Sequence, residues 1–326
     1  MVAVVLANGE GKVGMAAAIE AVRAGRSALD AVEAGIRVVE ADPNVRSVGF
    51  GGAPNILGQM ECDAAIMCGA TLRTGAVGAL KDYVHAISVA RKVMDLTPHV
   101  MLVGDGASRF AAEAGEVKAE LLSEDARADY EEWMSAHLPE TLMSRWPDVP
   151  LAPLVVQPVR RRHRYAEGDT EGAQPAGSNR PHGTTVFLVR TRDGTMAGGT
   201  STSGWAYKYP GRLSDSCMIG AGLYVDQRYG GAACTHTGEM IIRAGVTRAV
   251  VTYMKRGATA EEACREAFND LRSLKGGTIG PVIIHTVDAT SEPFVLTTGN
   301  DGGIPYWFWR DDMLREEWRK PMLEKL

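Results

Sequence analysis

The chain has 326 residues, a formal charge of −5 and 45% hydrophobic content, the balance of a soluble globular protein with enough apolar side chains for a sizeable core. The weakly acidic balance argues against a nucleic-acid partner, which would need a basic footprint, and no stretch reaches the ~20 apolar residues of a membrane span. The five cysteines are odd in number and scattered, so no disulfide framework follows. Cys62 and Cys68 are too widely spaced for the usual zinc knuckle. With no basic n-region before the short apolar start, a cytoplasmic protein is expected.

In chain order, Val2 to Leu6 reads as a buried strand and Asn8-Gly-Glu-Gly11 as a turn. An Ala-rich helix follows from Met15 to Ala24. Ser27, with Asp30 three positions on, caps a second helix that runs to Glu40, where Asp42-Pro43-Asn44 stops it. Positions 45–70 read as strand and turn, 86–94 as helix, 99–104 as strand and 108–115 as a short helix. Positions 121–145 are charged, helical and peripheral. Composition then shifts to a Pro-rich linker at about 147–183, holding the basic run Arg160-Arg-Arg-His-Arg164 beside an acidic stretch, a pattern that reads as a solvated loop. Beyond it, Thr185 to Arg190 is an apolar strand, Asp193-Gly194 a hairpin signal and 195–202 the returning strand. Helices are expected over 239–255 and 259–274, and strands over 280–287 and 293–298. Strands and helices occur in runs, which favours stacked antiparallel sheets covered by helices over a doubly wound parallel sheet.

Gly9-Glu-Gly11-Lys-Val-Gly14 matches G-x-G-x-x-G between a strand and a helix, the context of a dinucleotide site. The acidic candidates Asp30 and Glu33 fall inside a predicted helix, whereas that fingerprint wants the end of a second strand. A Gly-rich turn is the preferred reading, and an NAD-dependent enzyme the rival.

The main signal lies in the second half. His182-Gly183-Thr184-Thr185-Val186 is followed by Gly199-Thr-Ser-Thr-Ser-Gly204, Pro210-Gly-Arg-Leu-Ser-Asp-Ser216, Gly220-Ala-Gly-Leu-Tyr-Val-Asp226 and Thr235-His-Thr-Gly-Glu239. Together these resemble the N-terminal-nucleophile hydrolases that comprise glycosylasparaginases and plant-type asparaginases (isoaspartyl peptidases). Ser27-Ala-Leu-Asp-Ala-Val-Glu33, Ser47-Val-Gly-Phe-Gly-Gly52, Gly75-Ala-Val-Gly78 and Ala90-Arg-Lys-Val-Met94 are similar to the glycosylasparaginase side. The physical logic stands beside this likeness. Thr184 sits between a linker and an apolar strand, where its hydroxyl can attack the Gly183 carbonyl. Its freed α-amine, with a pKa near ~8, can then serve as the base for the same hydroxyl.

The resemblance implies an α+β fold, a four-layer αββα sandwich. It implies one domain, 1–326, maturing into 1–183 and 184–326, and a homodimer of processed protomers. By matching positions, Thr184 is the nucleophile, Thr202 its hydrogen-bonding neighbour, and Gly183 and Thr184 the cleavage site. Arg212 clamps an α-carboxylate, Asp215 an α-ammonium, and Thr235 with the next N–H forms an oxyanion hole. No metal or organic cofactor is implied, and the partner is a small amino-acid-like amide. The chain departs from the family in three places. Gly183 stands where glycosylasparaginases carry Asp. His236 stands where Gly is usual, placing a side chain near the pocket. Asn8-Gly-Glu-Gly11 replaces both the Trp-containing loop of one branch and the His-Gly-Gly loop of the other. Trp205, Tyr207 and Pro305-Tyr-Trp-Phe-Trp309 are candidates for the pocket wall, although packing is the commoner role of such aromatics. Beside the NAD-dependent rival, three functions stay open: a glycosylasparaginase, an asparaginase or β-aspartyl peptidase, and an unprocessed homologue that binds without turnover.

Overall fold

The computed structural model describes residues 1–155, 183–298 and 304–324. The basic run at 160–164 and most of the expected linker lie outside them. The first half contributes β1 (Val4–Ala7), a 3-10 turn over Glu10–Gly14, α1 (Met15–Arg23) and α2 (Ala28–Ala41). It continues with β2 (Cys62–Cys68), β3 (Thr74–Leu80), α3 (Ala86–Leu96), β4 (Met101–Val103), α4 (Gly104–Glu113), α5 (Glu124–His137) and α6 (Glu140–Met143). The second half supplies β5 (Thr185–Arg190), β6 (Met196–Thr202), β7 (Leu223–Asp226) and β8 (Gly230–His236). Then come α7 (Gly238–Ala244), α8 (Val246–Lys255), α9 (Ala260–Arg272), β9 (Val282–Asp288), β10 (Pro293–Thr297), β11 (Tyr306–Arg310), β12 (Glu317–Arg319) and β13 (Met322–Leu323).

Local chemistry accounts for several of these boundaries. The Ser27 hydroxyl accepts the Asp30 N–H at 3.2 Å and starts α2. Thr259 and Glu262 form a reciprocal capping box on α9. The helix expected over 239–255 is broken at Gly245, whose φ of +61° is a left-handed stop that only glycine adopts cheaply, so α7 and α8 are separate. The expected strand at 99–104 ends at Val103, and α4 begins at once, four residues before its expected start.

The fold is mixed α+β, with two sheets. The larger has the order β12-β11-β1-β5-β6-β2-β3-β4 and the smaller β13-β10-β9-β8-β7. All neighbours run antiparallel except β3–β4 and β10–β13. Because β1 is antiparallel to both β5 and β11, the G-x-G-x-x-G turn opens no parallel βαβ unit. Its glycines serve packing instead. A Cβ on Gly11 would crowd Phe187, and one on Gly14 would run into the Gly35 carbonyl of α2.

Three apolar clusters hold the layers. One joins α1 to α4 to the large sheet through Ile19, Val32, Ile36, Val89, Ile66 and Phe187. A second joins α7 to α9 to the small sheet through Ile241, Val250, Phe268, Val282 and Ile284. A third lies where Leu6, Met67, Val186 and Leu188 of the large sheet meet Leu223, Val225, Ile283 and Val295 of the small one. Among the described residues no helix is long and apolar enough to cross a membrane. All five cysteines are free, Cys68 half-buried and the others buried.

Candidate active site

Thr184 immediately precedes β5, and the hairpin to β6 brings 185–190 against 196–201. This pairing places Thr202 beside the start of β5. The Thr202 hydroxyl donates to the Gly183 carbonyl at 2.8 Å and accepts the Gly204 N–H at 2.9 Å. Thr184 is 5% exposed, and its hydroxyl faces that of Ser216 at 3.3 Å. The Thr184 carbonyl accepts from the Asn8 side-chain amide, whose oxygen in turn takes the Val186 N–H at 2.9 Å. Asn8 also donates to a Glu10 carboxylate oxygen at 2.6 Å. The Gly183–Thr184 peptide is thus fixed on both sides, with one hydroxyl on its carbonyl and another on the side chain that would attack it.

The segment after β6 carries the charged groups. Buried Asp63, on β2, accepts the Ser214 N–H at 2.7 Å and the Ala79 N–H at 2.8 Å. Glu61 accepts the Gly211 N–H, and Lys208 donates to the Glu61 carbonyl. These bonds fix the turn that presents Arg212 and Asp215. Arg212 gives Nε and Nη2 to Glu239 Oε1 at 3.0 and 2.8 Å and lies 4.7 Å above the Trp205 ring. Its Nη1, Asp215 Oδ2 and Glu239 Oε2 are buried with no hydrogen-bond partner among the described residues, an arrangement that favours a ligand able to satisfy them. Burial raises the Asp215 carboxyl to about 7. Arg212 opposes the rise, and the carboxylates of Glu239 and Asp63 add to it. On β9, burial drives His285 down to about 3, with His236 adding to the effect.

A narrow cleft is lined by Gly183, Thr184, Thr202, Gly204, Trp205, Arg212, Ser214, Asp215 and His236. The structure therefore brings six of the seven sequence-derived site residues to one place. The seventh, Thr235, is buried one position behind, its hydroxyl 2.9 Å from His236 Nδ1, and it does not line the cleft. His236 lines the cleft and holds a positive φ of +88°, a backbone conformation that glycine adopts more readily. Thr202 was expected beside the nucleophile hydroxyl. In the uncut chain its hydroxyl is taken by the Gly183 carbonyl, and Ser216 is the neighbour of Thr184. Trp205 lines the cleft, whereas Tyr207 stacks on Trp133 with ring centroids 4.2 Å apart, and Phe308 and Trp309 are buried in the core. The sequence reading assigns no role to Asn8, Ser47, Ser216 or Glu239. For Ser216 the available signal was two serines flanking one aspartate, Ser214-Asp215-Ser216. For the others the contacts cross 150 or more residues of chain, except Glu239, which lies 27 from Arg212.

Sequence comparison identifies the family of the chain. The model of the asparaginase family matches residues 12–294, and the chain belongs to that family. Within it, the chain is 38% identical over 243 residues to an N(4)-(β-N-acetylglucosaminyl)-L-asparaginase of Elizabethkingia miricola, covering 74% of this chain and 61% of that relative's length. The corresponding enzyme of Rattus norvegicus is 34% identical over 81% of this chain and 75% of its own. An isoaspartyl peptidase/L-asparaginase of Mus musculus is 32% identical over 81% of this chain and 71% of its own.

Proposed function

We propose that this chain cuts itself between Gly183 and Thr184 and then uses Thr184 as an N-terminal nucleophile to hydrolyse the side-chain amide of an asparagine-type substrate. N4-(β-N-acetylglucosaminyl)-L-asparagine is the favoured substrate, in line with the names of the relatives at 38% and 34% identity. The observation that carries the reading is one cleft that joins the Gly183–Thr184 peptide to unsatisfied, buried Arg212 Nη1 and Asp215 Oδ2. A guanidinium and a carboxylate side by side match the α-carboxylate and α-ammonium of an amino acid, with the amide carbon directed at Thr184.

The fold class belongs to the same reading. The three apolar clusters support a four-layer αββα sandwich of the N-terminal-nucleophile type, processed into 1–183 and 184–326. In the uncut chain the cleft has room for little more than a water, because Gly183 occupies its acyl side. Cutting frees the 183 end to swing away and exposes both the hydroxyl and the amine of Thr184. The amine takes the hydroxyl proton, Oγ1 attacks the substrate amide, and the leaving amine departs protonated. Water then releases aspartate from the Thr184 ester. Thr235 and the backbone N–H that follows it are the expected donors to the oxyanion.

A second reading, an L-asparaginase or β-aspartyl peptidase, is favoured by Gly183, since Gly before the nucleophile resembles the plant-type members, and by the relative named isoaspartyl peptidase/L-asparaginase at 32% identity. Intact mass and N-terminal sequencing of the purified protein test the common part. A fragment beginning Thr184-Thr185-Val186 is expected, and Thr184→Ala abolishes both cutting and turnover. A wild-type chain that stays whole after long incubation and shows no amidase activity refutes it. Relative rates on the glycosylasparagine and on a β-aspartyl dipeptide separate the two readings.

A further inference from the structure

Beside Gly183, the place a side chain would take is occupied by the ends of two others. A Cβ there would overlap Glu10 Oε1 and come within 2.6 Å of Ser47 Oγ. The space beside the residue whose carbonyl is to be attacked is therefore filled by a carboxylate from the other end of the chain. Glu10 retains some exposed surface, yet its carboxylate is turned in among protein atoms. Its second oxygen accepts from Asn8, the residue that also holds the Thr184 carbonyl. Nearby Lys12 is turned away, 4.9 Å over the Trp307 ring. Burial raises the Glu10 carboxyl to about 7, where a group both accepts and releases a proton readily. The loop is also pinned in place, since a Cβ on Gly9 would strike Ile304 and one on Gly11 would strike Ala7 and Phe187.

We propose that Glu10 is the proton-shuttling carboxylate of the self-cleavage, supplied by the first loop of the same chain to a position where Gly183 has no side chain of its own. The inference rests on the self-cleavage reading above. As Thr184 Oγ1 turns from Ser216 and bonds to the Gly183 carbonyl carbon, the Glu10 carboxylate takes the hydroxyl proton, directly or through one water. It returns that proton to the Thr184 nitrogen as the C–N bond breaks, leaving an ester between Gly183 and Oγ1. Water then hydrolyses the ester to a Gly183 carboxylate and a free Thr184 hydroxyl. The two departures at Asn8–Gly11 and at Gly183 are then complementary: the first loop supplies a carboxylate at the place that the missing Gly183 side chain leaves to it.

The test follows the fragment beginning at Thr184 over time in freshly synthesised full-length chains. Glu10→Gln keeps the size and the acceptor for Asn8 but cannot shuttle a proton, and it should slow cutting by about 10²-fold or more. Glu10→Ala with Gly183→Asp moves the carboxylate back to position 183 and should cut at least tenfold faster than Glu10→Ala alone, a rescue that a merely structural role would not give. Cutting by Glu10→Gln at the wild-type rate overturns the inference while leaving the self-cleavage reading intact, and so does a double variant no faster than Glu10→Ala. A wild-type chain that never yields the fragment overturns both.

Discussion

Asp215 combines two opposed demands. It is 2% exposed and only part of its carboxylate is satisfied by the backbone around it, so burial holds its pKa near 7 even with Arg212 beside it. An incoming α-ammonium binds the ionised form. Affinity should therefore be full above pH 7 and fall as pH drops through about 7, with KM rising up to tenfold per pH unit below that point, while Asp215→Asn shows a high KM without this dependence. KM measured from pH 5.5 to 8.5 checks it; a flat wild-type profile refutes the assignment. The linkage to stability has the same origin with the opposite consequence. A carboxyl whose folded pKa is raised from 3.8 to about 7 binds its proton more tightly in the native chain. Its contribution to stability is present at low pH and is lost as pH rises across that window. Arg212→Lys keeps the charge but loses the planar fork, and at ~1.5–3 kcal/mol for a charged hydrogen bond it should raise KM by about 10- to 100-fold with a smaller change in kcat. At this scale the meeting of Thr184, Arg212 and Asp215 in one cleft was legible, because each sits in a short segment that carries the family resemblance. Asn8, Glu10, Ser47 and Glu239 were not, because their roles arise only when β1, the 45–52 segment and α7 pack against β5 and β6.

Elements were legible where a local signal fixed them. The Asp193-Gly194 hairpin set the β5–β6 register, and the caps at Ser27 and Thr259 set two helix starts. β3, Thr-Gly-Ala-Val-Gly-Ala-Leu, and β8, Gly-Gly-Ala-Ala-Cys-Thr-His, were not read as strands. They lack the β-branched alternation that marks a half-buried strand. In β3 small residues are there because a helix comes very close: a Cβ on Gly75 would overlap the Ala90 carbonyl and lie 2.7 Å from the Met94 nitrogen, both in the backbone of α3. Gly75→Ala should therefore push α3 off the sheet and cost about 1–3 kcal/mol. Gly106, inside α4, is the contrast, for a Cβ there meets nothing and its φ is ordinary. Gly106→Ala should stabilise by roughly 0.5–1 kcal/mol. Urea denaturation of both variants in a Thr184→Ala background measures the pair; if Gly75→Ala proves neutral, the close approach of α3 is wrong.

At the scale of the molecule, the proposed cut would fall where it spares the sheets. In the order β12-β11-β1-β5-β6-β2-β3-β4, the strands before residue 183 are β1 to β4 and the rest follow it. Ladders therefore cross between the two pieces at β11–β1, β1–β5 and β6–β2. β1 lies with a strand of the later piece on each side, paired over Val4–Ala7 with both β11 and β5. The cut itself removes one peptide bond just ahead of β5 and leaves every one of these ladders in place. Pulling the pieces apart would strip β1 of both partners, open the β6–β2 junction, and expose the apolar face of Phe187 that α1 and α2 cover. Bare strand edges and unburied core on that scale are not tolerated in water. After complete cutting, fragments 1–183 and 184–326 should elute as one species in native buffer and unfold in one cooperative transition. They should separate only in denaturant. Elution as two species without denaturant would mean that the two pieces are not interlaced through the large sheet in this way.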